Sequence, residues 1–399
     1  MSNPLIHLAE LGQAVWLDYL HRKIIQDGTL QRLIDEDGLR GMTSNPSIFE
    51  KAIGEGGDYD QPLRAAVAGG ETDPKALYET LAVADIQAAA DVLRPVYDRL
   101  EGADGYVSLE VSPELAMDAE ATVAEGRRLW ALVDRPNLMI KVPGTKAGPA
   151  AIRQLIAQGI NVNVTLLFGV DAYLASAEAH LAGLEDLEAT GGDISKVHGV
   201  ASIFVSRIDG KIDKEIDRRL ANGGGEDAAS LQRLRGRVAI ANAKIAYQRY
   251  LELIGSPRWR SLAASGAAPQ RLLWASTGTK DPAYSDVLYV ESLIGADTIN
   301  TMPMKTLEAF RDHGEARRTL TEGLEEARDV LALADRLGLD LDGVTDRLVP
   351  EGVEQFSEAF HALLDVIGEK VSAGRGDRSE SRRTSASEQA GHGVGRSAN

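Results

Sequence analysis

Eight short apolar runs, most of them separated by longer stretches of helical periodicity, constrain what this chain can fold into more than any other feature. The runs are AVWLDYL at 14–20, LRGMTS at 39–44, GYVSLEV at 105–111, NLMIKV at 137–142, INVNVTL at 160–166, VASIFV at 200–205, RLLWAS at 271–276 and DTINTM at 297–302. Segments between them, such as 76–100, 113–133 and 147–159, carry apolar residues at the 3.6-residue period of a helix. Pro95 is expected to kink or end the first of these helices early. Strand and helix in alternation argue for a parallel sheet with right-handed crossovers. Eight is also the number of strands that closes an α/β barrel. The expected fold class is therefore α/β, a (β/α)8 TIM barrel. Additional C-terminal helices near 303–315, 319–337 and 351–372 are expected to pack outside it.

No Pro- or Ser-rich linker divides residues 1–373, which read as one barrel domain. From Gly374 the composition changes: Val394 is the only large apolar residue left, so 374–399 reads as a disordered tail. The absence of cysteine excludes disulfides, thiolate metal sites and a cysteine nucleophile. A net charge of −17 argues against a nucleic-acid or anionic-membrane binder, while leaving room for a local cationic pocket. There is no apolar run of membrane-spanning length, and the N-terminus lacks the basic-then-apolar pattern of a secretory signal. A cytoplasmic protein is expected. The chain holds neither a Walker loop nor a G-x-G-x-x-G turn after a strand, and its histidines show no HxxxH or HExxH spacing. No cofactor and no metal are therefore expected.

Several of the apolar runs contain polar residues where a core would be apolar. In a barrel, catalytic side chains gather at the C-terminal ends of several strands. Asp18 lies near the end of the first run, Thr43, Ser44 and Asn45 follow the second, and Glu110 is near the end of the third. Asn163 and Thr165 alternate on the fifth, so both face one side. Ser202 lies on the sixth with Arg207 just after it, and Lys280 follows the seventh. Lys141 sits inside the apolar run LMIKV. Buried lysines are rare without a partner or a task. Burial favours the neutral form of an amine, and a neutral amine can attack a carbonyl to form a Schiff base. A structural ion pair with Glu110 or Asp18 is the alternative. Two carboxylates, amides and hydroxyls converging on one barrel mouth with that lysine favour the chemical reading.

The segments TSNPSIFEKAI at 43–53, VSLEVSPEL at 107–115, LMIKVPGT at 138–145, INVNVTLLF at 160–168, SIFVSRID at 202–209 and ADTINTMP at 296–303 resemble the motif set of the transaldolases. The resemblance runs from about residue 10 to about 370. It implies a transferase that moves a dihydroxyacetone unit from sedoheptulose 7-phosphate to glyceraldehyde 3-phosphate, giving erythrose 4-phosphate and fructose 6-phosphate. Carried over by motif, it makes Lys141 the Schiff-base lysine and Asp18 the acid/base carboxylate of C3–C4 cleavage. Glu110 becomes the second carboxylate, and Thr165 helps it hold a catalytic water. Asn45 and Asn163 bind donor hydroxyls, Ser202 and Phe204 line the substrate site, and Arg207 binds phosphate. The implied partners are sugar-phosphate substrates. A homo-oligomer is compatible with the sequence, and neither nucleic acid nor membrane is expected.

One segment departs from the family pattern. Many transaldolases present a second phosphate-binding arginine after the seventh strand, in an ASFR-like segment. Here the segment reads ASTGTKDPAYSD at 275–286. Lys280 is expected to stand in for the arginine, with Ser276 and Thr277 adding hydroxyls, although a lysine lacks the bidentate fork. The nearer alternative within the same resemblance is a lysine aldolase that releases free dihydroxyacetone. Such relatives are much shorter chains, so the helices at 55–100 and 303–372 favour transaldolase. A non-catalytic phosphosugar- or partner-binding barrel is the remoter one.

Overall fold

The computed structural model describes residues 3–223 and 225–391, with side chains to Ser372. Its strands fall on the eight apolar runs: β1 (Gln13–Asp18), β2 (Leu39–Thr43), β3 (Tyr106–Glu110), β4 (Leu138–Pro143), β5 (Val162–Leu167), β6 (Gly199–Phe204), β7 (Arg271–Ala275) and β8 (Thr298–Met302). Each pairs in parallel with the next, and β1 closes on β8, giving the expected barrel. Helices follow the strands and cover the outer face, as parallel strands buried on both faces require.

Alternation along each strand decides which side chains enter the barrel. On β1, Trp16 lies two residues before Asp18 and so shares its face. A Cβ at Gly41 would lie 2.4 Å from the Trp16 indole, so only glycine on β2 leaves room for that ring. The indole N–H donates to Asp104 at 2.6 Å, and Arg271 pairs with the same carboxylate at 3.1 Å. This network fixes the end of the barrel opposite the strands' C-terminal mouth.

The helix carrying Pro95 does not end early: it runs unbroken over Pro74–Arg99. Proline removes one backbone bond near the end of the helix, while Leu93 and Val96 on either side are buried against the barrel. Packing of the apolar face outweighs the lost bond.

The C-terminal helices are Met304–His313, Leu324–Arg336 and Leu341–Gly391. The last does not simply lie outside the barrel. It crosses the C-terminal mouth, with Thr345 against Gly169, Gly352 against Leu166 at the end of β5, and Phe360 edge-on to Tyr78 with ring centres 5.6 Å apart. Lys370 anchors its far part to Asp60 at 2.8 Å. Of the expected tail at 374–399, the backbone is helical to Gly391, and residues 392–399 lie outside the described residues. Among the described residues no helix is long and apolar enough to cross a membrane.

Candidate active site

Parallel register builds the centre of the site. Glu110 pairs with Lys141 across β3 and β4, and Lys141 pairs with Asn163 across β4 and β5. Three polar side chains thus stand in one row, a strand spacing of about 4.8 Å apart. The Lys141 side chain is 4% exposed. Its Nζ donates to the Ser44 carbonyl at 3.0 Å and lies 3.4 Å from Glu110 Oε2. Ser44 is itself held by its hydroxyl, which donates to the Ser108 carbonyl at 2.7 Å.

Asn163 is oriented from both sides. Its amide nitrogen donates to Ser108 Oγ at 3.0 Å, and its oxygen accepts from Ser202 Oγ at 2.7 Å. The sequence links Ser108 to the site only by its place two residues before Glu110, on the same face. Asp18 lies across the mouth, partly exposed, and its Oδ1 accepts from Thr43 at 2.7 Å. Thr43 in turn lies 2.8 Å from the Thr301 hydroxyl on β8.

Both Glu110 oxygens and Thr165 Oγ1 are buried without a hydrogen-bond partner among the described residues. Buried polar atoms of that kind are the ones free to serve a bound substrate or an ordered water. Burial pushes the Glu110 carboxyl above its ordinary pKa, against the opposing charge of Lys141. Burial likewise raises Asp18, with Lys141, the Thr43 hydrogen bond and Arg207 acting the other way. The site therefore holds two carboxyls of raised proton affinity beside one amine, the arrangement that moves protons during carbonyl chemistry. Just past Thr165, Leu166 adopts φ 58°, and the β5–β6 register shifts between Val164 and Leu167. This bulge bends the strand end that carries Thr165.

The remaining expected residues divide. Phe204 is buried with its ring 5.5 Å from Phe168. The Arg207 guanidinium lies over the Phe204 ring at 5.1 Å and makes no ion pair among the described residues. Burial pulls its pKa down, with Asp18 and Glu110 pulling it back up. Asn45 caps the helix Pro46–Gly54, its side-chain oxygen accepting from the Ile48 amide at 2.9 Å, so only its amide N–H groups remain for a ligand. Lys280 is exposed on the loop after β7 and unpaired among the described residues; partial burial and the Arg207 charge lower its pKa. The hydroxyls beside it are already engaged. Ser276 Oγ lies 2.8 Å from Ser206 Oγ, and Thr277, wholly buried, donates to Asn300 at 2.8 Å. The Thr277 side chain is turned toward Asn300 on β8.

The model of the transaldolase/fructose-6-phosphate aldolase family matches residues 15–367. Transaldolase 2 of Nostoc sp. is 48% identical over 373 residues, covering 92% of this chain and 98% of that protein. The transaldolase of Thiobacillus denitrificans is 50% identical over 361 residues, with 90% and 98% covered. That of Parafrankia sp. is 50% identical over 372 residues, with 93% and 99% covered. A closed barrel, a buried lysine beside a buried carboxyl and a family match across nearly the whole barrel agree, and this chain belongs to the transaldolase/fructose-6-phosphate aldolase family.

Proposed function

We propose that the chain is a transaldolase that works through a Schiff base on Lys141. Lys141 Nζ attacks the C2 carbonyl of sedoheptulose 7-phosphate and the carbinolamine loses water to give an iminium. Glu110, whose proton affinity burial has raised, exchanges the protons of this step through a water shared with Thr165. Asp18 then takes the proton of the C4 hydroxyl. The C3–C4 electron pair moves toward the iminium, and erythrose 4-phosphate leaves as the aldehyde. The enamine of dihydroxyacetone stays bound, its hydroxyls held by Asn45 and Asn163, with Ser202 and Phe204 lining the pocket. Its C3 attacks the aldehyde of glyceraldehyde 3-phosphate while Asp18 returns the proton. Hydrolysis of the new iminium frees Lys141 and releases fructose 6-phosphate.

Arg207 takes the sugar phosphate in this reading, with Lys280 as the second cation. A local pair of cations offsets the charge of −17 that would otherwise repel a phosphorylated substrate. We place the enzyme in the cytoplasm, where these sugar phosphates occur.

The observation that carries the reading is the buried Lys141 amine 3.4 Å from Glu110 Oε2. Borohydride reduction in the presence of fructose 6-phosphate tests it. The expected result is a covalent dihydroxyacetone or fructose 6-phosphate adduct on Lys141, absent in Lys141→Ala. Failure to label the wild-type lysine would leave a phosphosugar-binding barrel. Steady release of free dihydroxyacetone from fructose 6-phosphate without acceptor would show an aldolase instead.

A further inference from the structure

The Arg207 guanidinium lies over two rings. Phe204 of β6 is one, with its centre 5.1 Å from the guanidinium carbon. The other is Phe356 of the helix Leu341–Gly391, at 5.8 Å. Phe356 is 3% exposed, so its position is set by packing. Beside it the helix comes close enough that a Cβ at Gly352 would lie 2.7 Å from Leu166 and 3.4 Å from an Arg207 nitrogen. No carboxylate forms an ion pair with Arg207 among the described residues, and Asp18 and Glu110 act on it only through longer-range charge.

We infer that Phe356 is a positioning residue for phosphate recognition, acting together with Phe204 to hold the Arg207 guanidinium in place. The guanidinium carbon sits over both ring faces, which restricts how the group can turn while using none of its N–H donors. A guanidinium held in that way presents a bidentate fork, the geometry phosphate oxygens match. The rings also attract the cation, and that attraction strengthens where water is excluded. A flexible arginine would lose side-chain freedom each time it bound a phosphate. This arginine has already lost much of it in the folded protein. The helix that crosses the mouth is in this way part of the substrate site, because it supplies one wall of the phosphate-binding group.

The inference rests on Arg207 as the phosphate ligand, and the test separates the two. Steady-state kinetics with fructose 6-phosphate and inhibition by inorganic phosphate are compared for wild type, Phe356→Leu, Phe356→Tyr and Arg207→Ala. Phe356→Leu keeps an apolar side chain but removes the ring face. It should raise both KM and the phosphate inhibition constant about threefold to tenfold, with kcat within about twofold of wild type. Phe356→Tyr keeps the face and should behave like wild type. Trapping of dihydroxyacetone on Lys141 should be unaffected in the two Phe356 variants, and thermal melts show whether Phe356→Leu remains folded. If Arg207→Ala weakens phosphate but Phe356→Leu does not, or if Phe356→Leu lowers kcat at constant KM, the positioning role is wrong. If Arg207→Ala leaves both constants unchanged, the phosphate reading of Arg207 fails whatever Phe356 does.

Discussion

Asp18 and Glu110 are carboxylates near one lysine, yet their surroundings differ. Glu110 is 7% exposed, 3.4 Å from the amine and free of hydrogen bonds, whereas Asp18 opens toward the mouth and is held by Thr43. The proposed mechanism gives them different tasks. Asp18→Ala should cut turnover by roughly 10²–10⁴-fold while still accumulating a borohydride-trappable donor adduct. Glu110→Ala should slow appearance of that adduct itself, read by quenched-flow trapping. No trappable adduct in Asp18→Ala would remove Asp18 from the cleavage step. Lys280 stands alone on its loop. Thr277 donates to Asn300, so its hydroxyl does not stand ready to compensate for a lost ammonium, and Ser276 is shared with Ser206. Lys280→Ala should raise KM for fructose 6-phosphate several-fold, by roughly the weight of one exposed charge contact. Lys280→Arg should retain wild-type KM. An unchanged KM in Lys280→Ala would make it an ordinary surface lysine.

The helix Ser206–Ala221 begins beside Arg207 and buries two carboxyls one turn apart, Asp209 and Asp213. Asp209 accepts from the Ala239 amide at 2.8 Å and the Tyr289 hydroxyl at 3.0 Å. Asp213 accepts from the Gly236 amide at 3.2 Å and the Tyr284 hydroxyl at 2.8 Å. Arg235 reaches Asp281 at 2.9 Å. These bonds tie the loop that carries Lys280 to the helix that carries Arg207. Burial pushes the Asp209 pKa up to about 7, with nearby Asp213 adding to the rise. The sign follows from linkage: a carboxyl that holds its proton more tightly when folded contributes stability that is complete below its unfolded value, near 3.8. That contribution diminishes above it and is lost as pH rises through about 7. Asp209→Asn removes the titrating group. The Tm of the variant relative to wild type should therefore climb between pH 5 and pH 8. Parallel Tm-against-pH curves for the two proteins would show that Asp209 does not titrate there.

At the scale of the molecule, the barrel core and the last helix form one body, closed by residues such as Phe360, Leu363 and Ile367. Beyond Val371 the sequence has almost nothing to bury. Deleting 374–399 should leave activity and Tm nearly unchanged, and a large loss of either would show that the segment docks on the barrel. How much was legible beforehand follows from the range of the signals. Period-2 alternation and apolar runs are local, so all eight strands could be read from the chain. Lys141, Glu110, Asn163 and Thr165 stood out as polar residues within such runs. The path of the helix Leu341–Gly391 could not be read, because an amphipathic pattern says that a face is buried and not against what. Nor could the burial of Thr277, or the Trp16, Asp104 and Arg271 network, since each joins residues from distant parts of the chain.

By itself, then, the sequence determined the strands, their number and the side chains that alternate into the barrel, because these depend on backbone periodicity within a few residues. The register that sets the row Glu110–Lys141–Asn163, the path of the last helix and the rings beside Arg207 were decided only by the tertiary structure. The physical reason is that register and packing bring together atoms far apart along the chain. No local propensity encodes which of many compatible apolar faces will meet.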